Sequence, residues 1–67
     1  MLTKMNRIAL NEILKHDNVR MIEHIDYLDR RVYFVEMYFE DIDNWRTIRS
    51  GSFYYCHDLY KLLIRNW

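Results

Sequence analysis

The apolar residues of the first sixteen positions recur at spacings of three and four, which is typical of one face of an amphipathic helix. This stripe contains Leu2, Met5, Ile8, Ala9 and Ile13. Leu10 and Leu14 widen it, and the polar pair Asp17-Asn18 is a stop signal after it. The pattern predicts a helix over residues 2–16.

The period of the pattern shortens after this first segment. Residues 19–28 alternate loosely between apolar and polar side chains, and residues 32–40 are rich in β-branched and aromatic side chains. The two segments flank a short polar turn at residues 29–31, so they predict a β-hairpin. A second Asp- and Asn-rich turn at residues 41–44 leads into a third strand over residues 45–50.

The last segment returns to helical spacing after Gly51, the only glycine of the chain. Ser52 is the expected N-cap of this helix. Its apolar stripe consists of Phe53, Cys56, Leu59, Tyr60, Leu63 and Trp67. The sequence therefore predicts one small α+β domain spanning residues 1–67, with element order α-β-β-β-α. We expect a three-stranded antiparallel sheet with both helices on one face.

A hairpin centred on residues 29–31 places Ile25 opposite Val35, and the turn at residues 41–44 places Arg49 opposite Glu36. A row of His24, Glu36 and Arg49 would then cross the sheet on the face away from the helices. The side chains expected on that open face are Ile22, His24, Phe34, Glu36, Tyr38, Trp45 and Arg49.

Exposed apolar surface bordered by charge often marks an interaction site, and Tyr, Trp, Phe and Arg are enriched among binding hot spots. We therefore predict that the open face binds a partner protein. In one alternative, these aromatics are ordinary strand formers and the charged row is a solvated cross-strand ladder. In another, a homodimer buries the same face, because small cores often need a partner.

Composition narrows the functional classes. The ten basic and ten acidic residues give a formal net charge of zero, which disfavours a general nucleic-acid binder. The single cysteine cannot form an internal disulfide and fits a reducing compartment. No apolar run approaches the length of a membrane helix, and polar residues interrupt any signal-peptide core near the N-terminus. We expect a cytoplasmic protein without membrane association.

The sequence offers little for catalysis or cofactor binding. Cys56 and His57 are adjacent in a predicted helix, so their side chains point about 100° apart and cannot form a catalytic dyad. His16, His24 and His57 lack the spacing of a metal site. Phosphate-binding loops need several glycines, and this chain has one. We predict no enzymatic activity, no cofactor and no metal.

The predicted order α-β-β-β-α resembles that of the double-stranded-RNA-binding domain, whose first helix often carries a triplet similar to Leu10-Asn11-Glu12. That family opens its second helix with a lysine cluster after a glycine and a small residue. Here aromatic residues follow Gly51-Ser52. The alternative function that this resemblance implies is nucleic-acid binding through a smaller basic patch, which would consist of Arg46, Arg49, Lys61 and Arg65.

The size of the chain and its lack of catalytic motifs point to a further comparison. In format, though not in motif, the chain resembles the small inhibitors encoded by phages and mobile elements, such as anti-CRISPR and host-takeover proteins. Such a protein would act by blocking or sequestering its partner, which could belong to a nucleic-acid-processing complex. The function predicted from the sequence is therefore that of a protein-binding inhibitor.

Overall fold

Three tight turns set the path of residues 9–65, the part of the chain that this computed structural model describes. Four strands are followed by one helix: β1 (Ala9–His16), β2 (Val19–Ile25), β3 (Arg31–Phe39), β4 (Asn44–Gly51) and α1 (Phe53–Arg65). The strands form one antiparallel sheet in the order β1-β2-β3-β4, so each strand pairs with its neighbour in sequence. β1 and β4 are the two edges of this sheet.

Each of the three hairpin turns contains an aspartate in the left-handed backbone region. The φ angles are 52° at Asp17, 63° at Asp29 and 52° at Asp43. Aspartate tolerates this conformation better than most residues because its short polar side chain can bond locally. In the middle turn the carboxylate of Asp26 accepts the backbone N–H groups of Leu28 and Arg30, each at 2.9 Å. These turns direct the chain into a simple meander.

The predicted N-terminal helix is wrong, because residues 9–16 form strand β1. The β1–β2 ladder shifts register between Glu12 and Leu14, so Ile13 is an extra residue in a β-bulge. The bulge moves Leu10 and Leu14 to opposite faces of the sheet although they are four positions apart. An irregular strand thus has the apolar spacing of a helix. Residues 2–8 of the predicted helix lie outside the described residues.

The predicted α-β-β-β-α order is therefore wrong as well. Residues 9–65 contain four strands and one helix, not three strands and two helices. Asp17-Asn18, interpreted as a helix stop, is the two-residue loop between His16 and Val19, which face each other across the first hairpin. The topological resemblance to the double-stranded-RNA-binding domain is lost with the first helix.

The predicted register of the β2–β3 hairpin is also wrong. Val35 lies opposite Met21, not Ile25, and Ile22 lies opposite Phe34. The turn begins at Asp26, whose side chain and backbone both bond to Arg30, and so the turn is earlier than predicted. The partner of Val35 moves by four positions, an even number. Each side chain consequently keeps the face that alternation predicts.

Helix α1 packs on one face of the sheet and closes a small core. Val19, Met21 and Val35 from the sheet contact Cys56 and Tyr60 from α1. All of these side chains except Tyr60 are completely inaccessible to solvent. The surrounding apolar side chains are Leu14, Tyr33, Met37, Ile48, Leu59, Leu63 and Ile64. The predicted C-terminal helix is thus confirmed, although Trp67, predicted in its stripe, lies outside the described residues.

The N-terminus of α1 begins as the sequence predicts. The hydroxyl oxygen of Ser52 accepts the backbone N–H of Tyr55 at 3.2 Å, which is the bond of an N-cap. Because α1 occupies one side of the sheet, the other side carries no helix or strand from residues 9–65. We call this other side the open face.

Candidate functional site

The open face has an apolar half, which consists of Leu10, Ile22, His24 and Phe34. These four side chains line part of a concavity of about 510 Å³. Ile22 is only 8% exposed, whereas Leu10 on the edge strand is 65% exposed. The His24 and Phe34 rings meet edge to face, with 5.9 Å between their centroids. The apolar half therefore combines an ordered pair of rings, His24 and Phe34, with the exposed aliphatic side chain of Leu10.

The rest of the concavity is lined by an ionic row, which consists of Glu12, Arg20, Glu36 and Thr47. Arg20 lies at its centre, with Nη2 and Nε at 2.7 and 2.8 Å from Oε1 of Glu36. Its Nη1 lies 3.4 Å from Oε1 of Glu12, and the Thr47 hydroxyl donates to Oε2 of Glu36 at 3.1 Å. The row connects all four strands. Charge-assisted bonds of this kind fix the orientation of the side chains that make them.

An aromatic pair, Tyr38 and Trp45, continues the open face beyond the ionic row. The guanidinium carbon of Arg20 lies 4.2 Å from the centroid of the Trp45 ring, and the ammonium nitrogen of Lys15 lies 5.8 Å from it. Both cations are close enough for a cation–π interaction. The Tyr38 ring contacts Trp45 at 5.5 Å between centroids.

Tyr38 is held in turn by the last hairpin turn. Its hydroxyl donates a hydrogen bond to the carboxylate of Asp43, and this bond raises the pKa of Tyr38 above its usual value. Arg20, Trp45 and Tyr38 are thus ordered by contacts within the chain. Side chains that are already ordered lose less conformational entropy when a partner binds.

The structure places six of the seven predicted open-face residues on that face and excludes the seventh. Those on the face are Ile22, His24, Phe34, Glu36, Tyr38 and Trp45. Arg49 pairs with Val35, next to a register shift in the β3–β4 ladder. Its guanidinium Nη1 donates to the backbone oxygen of Ile48 at 2.7 Å, so Arg49 takes no part in the ionic row. The binding role of the other six stays a prediction.

The predicted row of His24, Glu36 and Arg49 is therefore wrong, because neither His24 nor Arg49 lies beside Glu36. Thr47, not Arg49, lies opposite Glu36, because the turn directly follows Phe39, which pairs with Asn44, and so lies one residue earlier than predicted. The one-residue register shift between Val35 and Glu36 then places Arg49 opposite Val35. Arg20 supplies the cation, and His24 contacts Phe34 instead.

Sequence reasoning missed Arg20, Glu12 and Leu10 as parts of this face. The sequence pattern predicts a helix at Glu12 and Leu10, where strand alternation does not apply. Arg20 did carry a signal, since it has the same strand parity as Ile22 and the opposite charge to Glu36. Only the correct hairpin register places Arg20 directly opposite Glu36.

The four residues of the predicted basic patch do not lie on the open face. Arg46 and Arg49 are exposed on β4, and Lys61 and Arg65 are exposed on α1, which covers the opposite side of the sheet. By alternation Arg46, opposite Met37, also faces the helix side. Trp45, an aromatic that could stack on bases, is therefore separated by the sheet from the cations of α1.

Cys56 is a core residue with a polar contact. Its thiol donates to the backbone oxygen of Tyr33 at 3.2 Å, and burial raises the pKa of this thiol. His57 points elsewhere and stacks on Phe53, with 5.2 Å between ring centroids. Across residues 9–65, no three His, Cys, Asp or Glu side chains are grouped so that they could hold a metal ion.

Both edges of the sheet are interrupted. The bulge at Ile13 lies in β1, and the register shift beside Arg49 lies in β4. Bulges and charged side chains on edge strands discourage pairing with another chain, because they break the regular row of backbone donors and acceptors. The open face is therefore the better candidate for an interaction surface.

Two further findings complete the description. Within residues 9–65 no helix is long and apolar enough to cross a bilayer. Comparisons with protein-family models, curated proteins and solved structures gave no match to this chain.

Proposed function

We propose that this chain is a non-enzymatic module that binds a partner protein through its open face. The observation that carries the proposal is the ordered contact of Arg20 with Glu36 and Trp45 beside the apolar half. An arginine and an aromatic ring held in place next to exposed apolar surface form the kind of cluster that dominates protein interfaces. A partner would meet preformed side chains, not a mobile surface.

The contrast with the sheet edges supports the face as the mode of binding. Strand addition needs a straight edge with unpaired backbone groups. β1 and β4 each deviate from regular pairing near their middle. The open face instead offers a continuous surface across all four strands.

Binding by this face suits an inhibitor that works by occupation. A small domain that supplies no chemistry of its own can change its partner only by covering part of that partner's surface. We propose that it blocks or sequesters the partner in this way. The single cysteine, held as a buried thiol, fits a cytoplasmic location for this activity.

An affinity pull-down tests the proposed face. Phe34→Ala and Trp45→Ala each remove a side chain of the open face, whereas Tyr54→Ala removes an aromatic that is 78% exposed on α1. We expect the wild-type chain and Tyr54→Ala to capture the same protein in the presence of nuclease. The two open-face variants should lose at least about 90% of that capture, since a hot-spot truncation costs about 2 kcal/mol or more.

Circular dichroism establishes that each variant is folded before the capture is compared. Undiminished capture by folded Phe34→Ala and Trp45→Ala would contradict the proposal. Capture that nuclease abolishes, and that depends on Arg46 or Lys61, would replace it with nucleic-acid binding through the helix side.

A further inference from the structure

The order of the charges across the open face is self-complementary, so that it can match the same face of a second copy. From β1 to β4, the directly paired residues of one row are Lys15, Arg20, Glu36 and Thr47. The two inner strands therefore carry opposite charges at this row, with Arg20 on β2 and Glu36 on β3. In the adjacent row the inner strands carry Ile22 and Phe34, which also face each other.

A twofold axis that runs parallel to the strands, between β2 and β3, would bring the open faces of two copies together. Under this symmetry β2 of one copy lies over β3 of the other, because such an interface uses the same surface twice. Arg20 of each copy then lies opposite Glu36 of the other, and Ile22 lies opposite Phe34. A twofold axis across the strands would instead put the apolar half onto the ionic row. Only the first arrangement matches both charge and polarity.

The dimensions of the chain fit this arrangement. The fold is a slab 15 Å thick along its shortest axis, with α1 on one side only. Strand length and spacing give the open face about 500 Å² of plane area per copy. Two such faces reach about 1,000 Å², the lower limit of a specific interface. Sheets that pack face to face keep their strands roughly aligned, as this axis requires.

The small core adds a reason for self-association. Ile22 is the one residue on the open face that is buried within the described part of the chain, and the helix side contributes five more. Domains of this size often gain their missing stability from oligomerisation. A second copy would cover Leu10 and Phe34 and form a sandwich of two sheets between two outer helices.

We propose that a second copy of this chain occupies the open face when no other partner protein is bound there, paired about that axis through reciprocal Arg20–Glu36 contacts. The proposal rests on the proposed function, since it assigns an occupant to the same docking face. A different partner protein would have to displace the second copy, because both would need the same side chains.

Two opposite charge reversals test the pairing. Arg20→Glu makes the central pair of each copy entirely acidic, and Glu36→Arg makes it entirely basic. Either variant alone would place like charges opposite each other across the interface, so we expect its dimer to dissociate at least about tenfold more readily than the wild type. In an equimolar mixture, the acidic pair of one variant faces the basic pair of the other. The mixture should therefore form a 1:1 heterodimer.

Sedimentation equilibrium is measured on the wild type, on each single variant and on their equimolar mixture. The matched control is Lys61→Glu, a charge reversal on the exposed surface of α1. This control should dimerise like the wild type. Each reversal also repels its neighbour within the chain, so circular dichroism must show that the single variants are folded. If either is unfolded, the urea midpoint of the wild type gives the answer, since that midpoint rises with protein concentration only when folding and association are coupled.

A mixture that stays monomeric while both variants are folded would overturn the pairing. A wild-type chain that stays monomeric up to about 1 mM, a concentration that fills even weak interfaces, would overturn self-association itself. The proposed function would survive that result if Phe34→Ala still abolished capture of another protein. It would fail separately if open-face variants changed neither self-association nor capture.

Discussion

The two faces of the sheet come from the same strands and the same alternation, yet they are built from opposite chemistry. On the helix side, Val19, Met21 and Val35 are completely buried against α1 and make no ionic contact. On the open face, the side chains of Arg20 and Glu36 keep 25% and 18% of their surface exposed and are ordered by each other. Burial of apolar area stabilises the first face. Hydrogen bonds and ion pairs order the second, which leaves its surface available for contact.

The largest expected effect lies on the helix side. Met21→Ala removes a fully buried side chain from a small core, so we expect a loss of about 3 kcal/mol in the free energy of unfolding. A domain of this size has only a few kcal/mol of stability in total, so the variant should be largely unfolded at room temperature. Urea unfolding followed by circular dichroism measures the change.

Leu62→Ala is the control, because Leu62 is 51% exposed on α1. Its effect should stay within about 0.5 kcal/mol, as for most exposed positions. A loss below 1 kcal/mol for Met21→Ala would mean that the helix–sheet core is not the source of stability.

The comparison predicts a smaller effect on the open face. Arg20→Ala leaves the partly buried carboxylate of Glu36 with only the Thr47 hydroxyl, so we expect a loss of about 1–2 kcal/mol. Glu36→Gln should cost about 1 kcal/mol, since it weakens the same ion pair. The double variant should be about 1 kcal/mol more stable than the sum of the single losses predicts, because the two side chains act as a pair.

This double-mutant cycle uses the same urea unfolding measurement, at a fixed protein concentration below the onset of any association. The matched control is Arg20→Ala combined with Asp58→Asn, because Asp58 is exposed on α1. That combination should be additive. Additivity of Arg20→Ala and Glu36→Gln as well would show that the ionic row does not order the open face.

The sequence predicted the two faces better than it predicted the elements around them. In β2 and β3 regular alternation assigns every side chain to the correct face, even though the predicted hairpin register was wrong by an even number of positions. The spacing of Cys56 and Tyr60 and the cap at Ser52 also located α1 correctly. These signals are local and repeat along each element, so they tolerate an error in pairing.

Irregular pairing explains what the sequence did not predict. The bulge at Ile13 made β1 resemble a helix, and the shift beside Arg49 placed that residue opposite Val35, away from the open face. The position of the middle turn depends on hydrogen bonds from Asp26 that no periodicity records. The central contact of Arg20 with Glu36 could be recognised only once both strands were correctly paired.

The smallest expected effect is a pH dependence that belongs to the helix side. Burial raises the pKa of the Cys56 thiol above its ordinary value of 9.0. Between the pKa of the unfolded chain and that of the folded chain, the native state keeps a proton that the unfolded state loses. The free energy of unfolding contributed by this group is therefore complete below the unfolded pKa and decreases as the pH rises through the folded pKa.

Urea unfolding at intervals from about pH 7.5 to 9.5 tests this dependence, because this whole range lies below the ordinary tyrosine pKa of about 10. The wild-type chain should lose stability toward the upper end of the range, whereas Cys56→Ala should start from a lower stability and change less. This alanine variant is the sharpest comparison, since it removes the titrating thiol and leaves the open face intact. Parallel curves for the two proteins would mean that the thiol is accessible to water in the native state, and the contrast between a dry helix side and a hydrated open face would no longer hold.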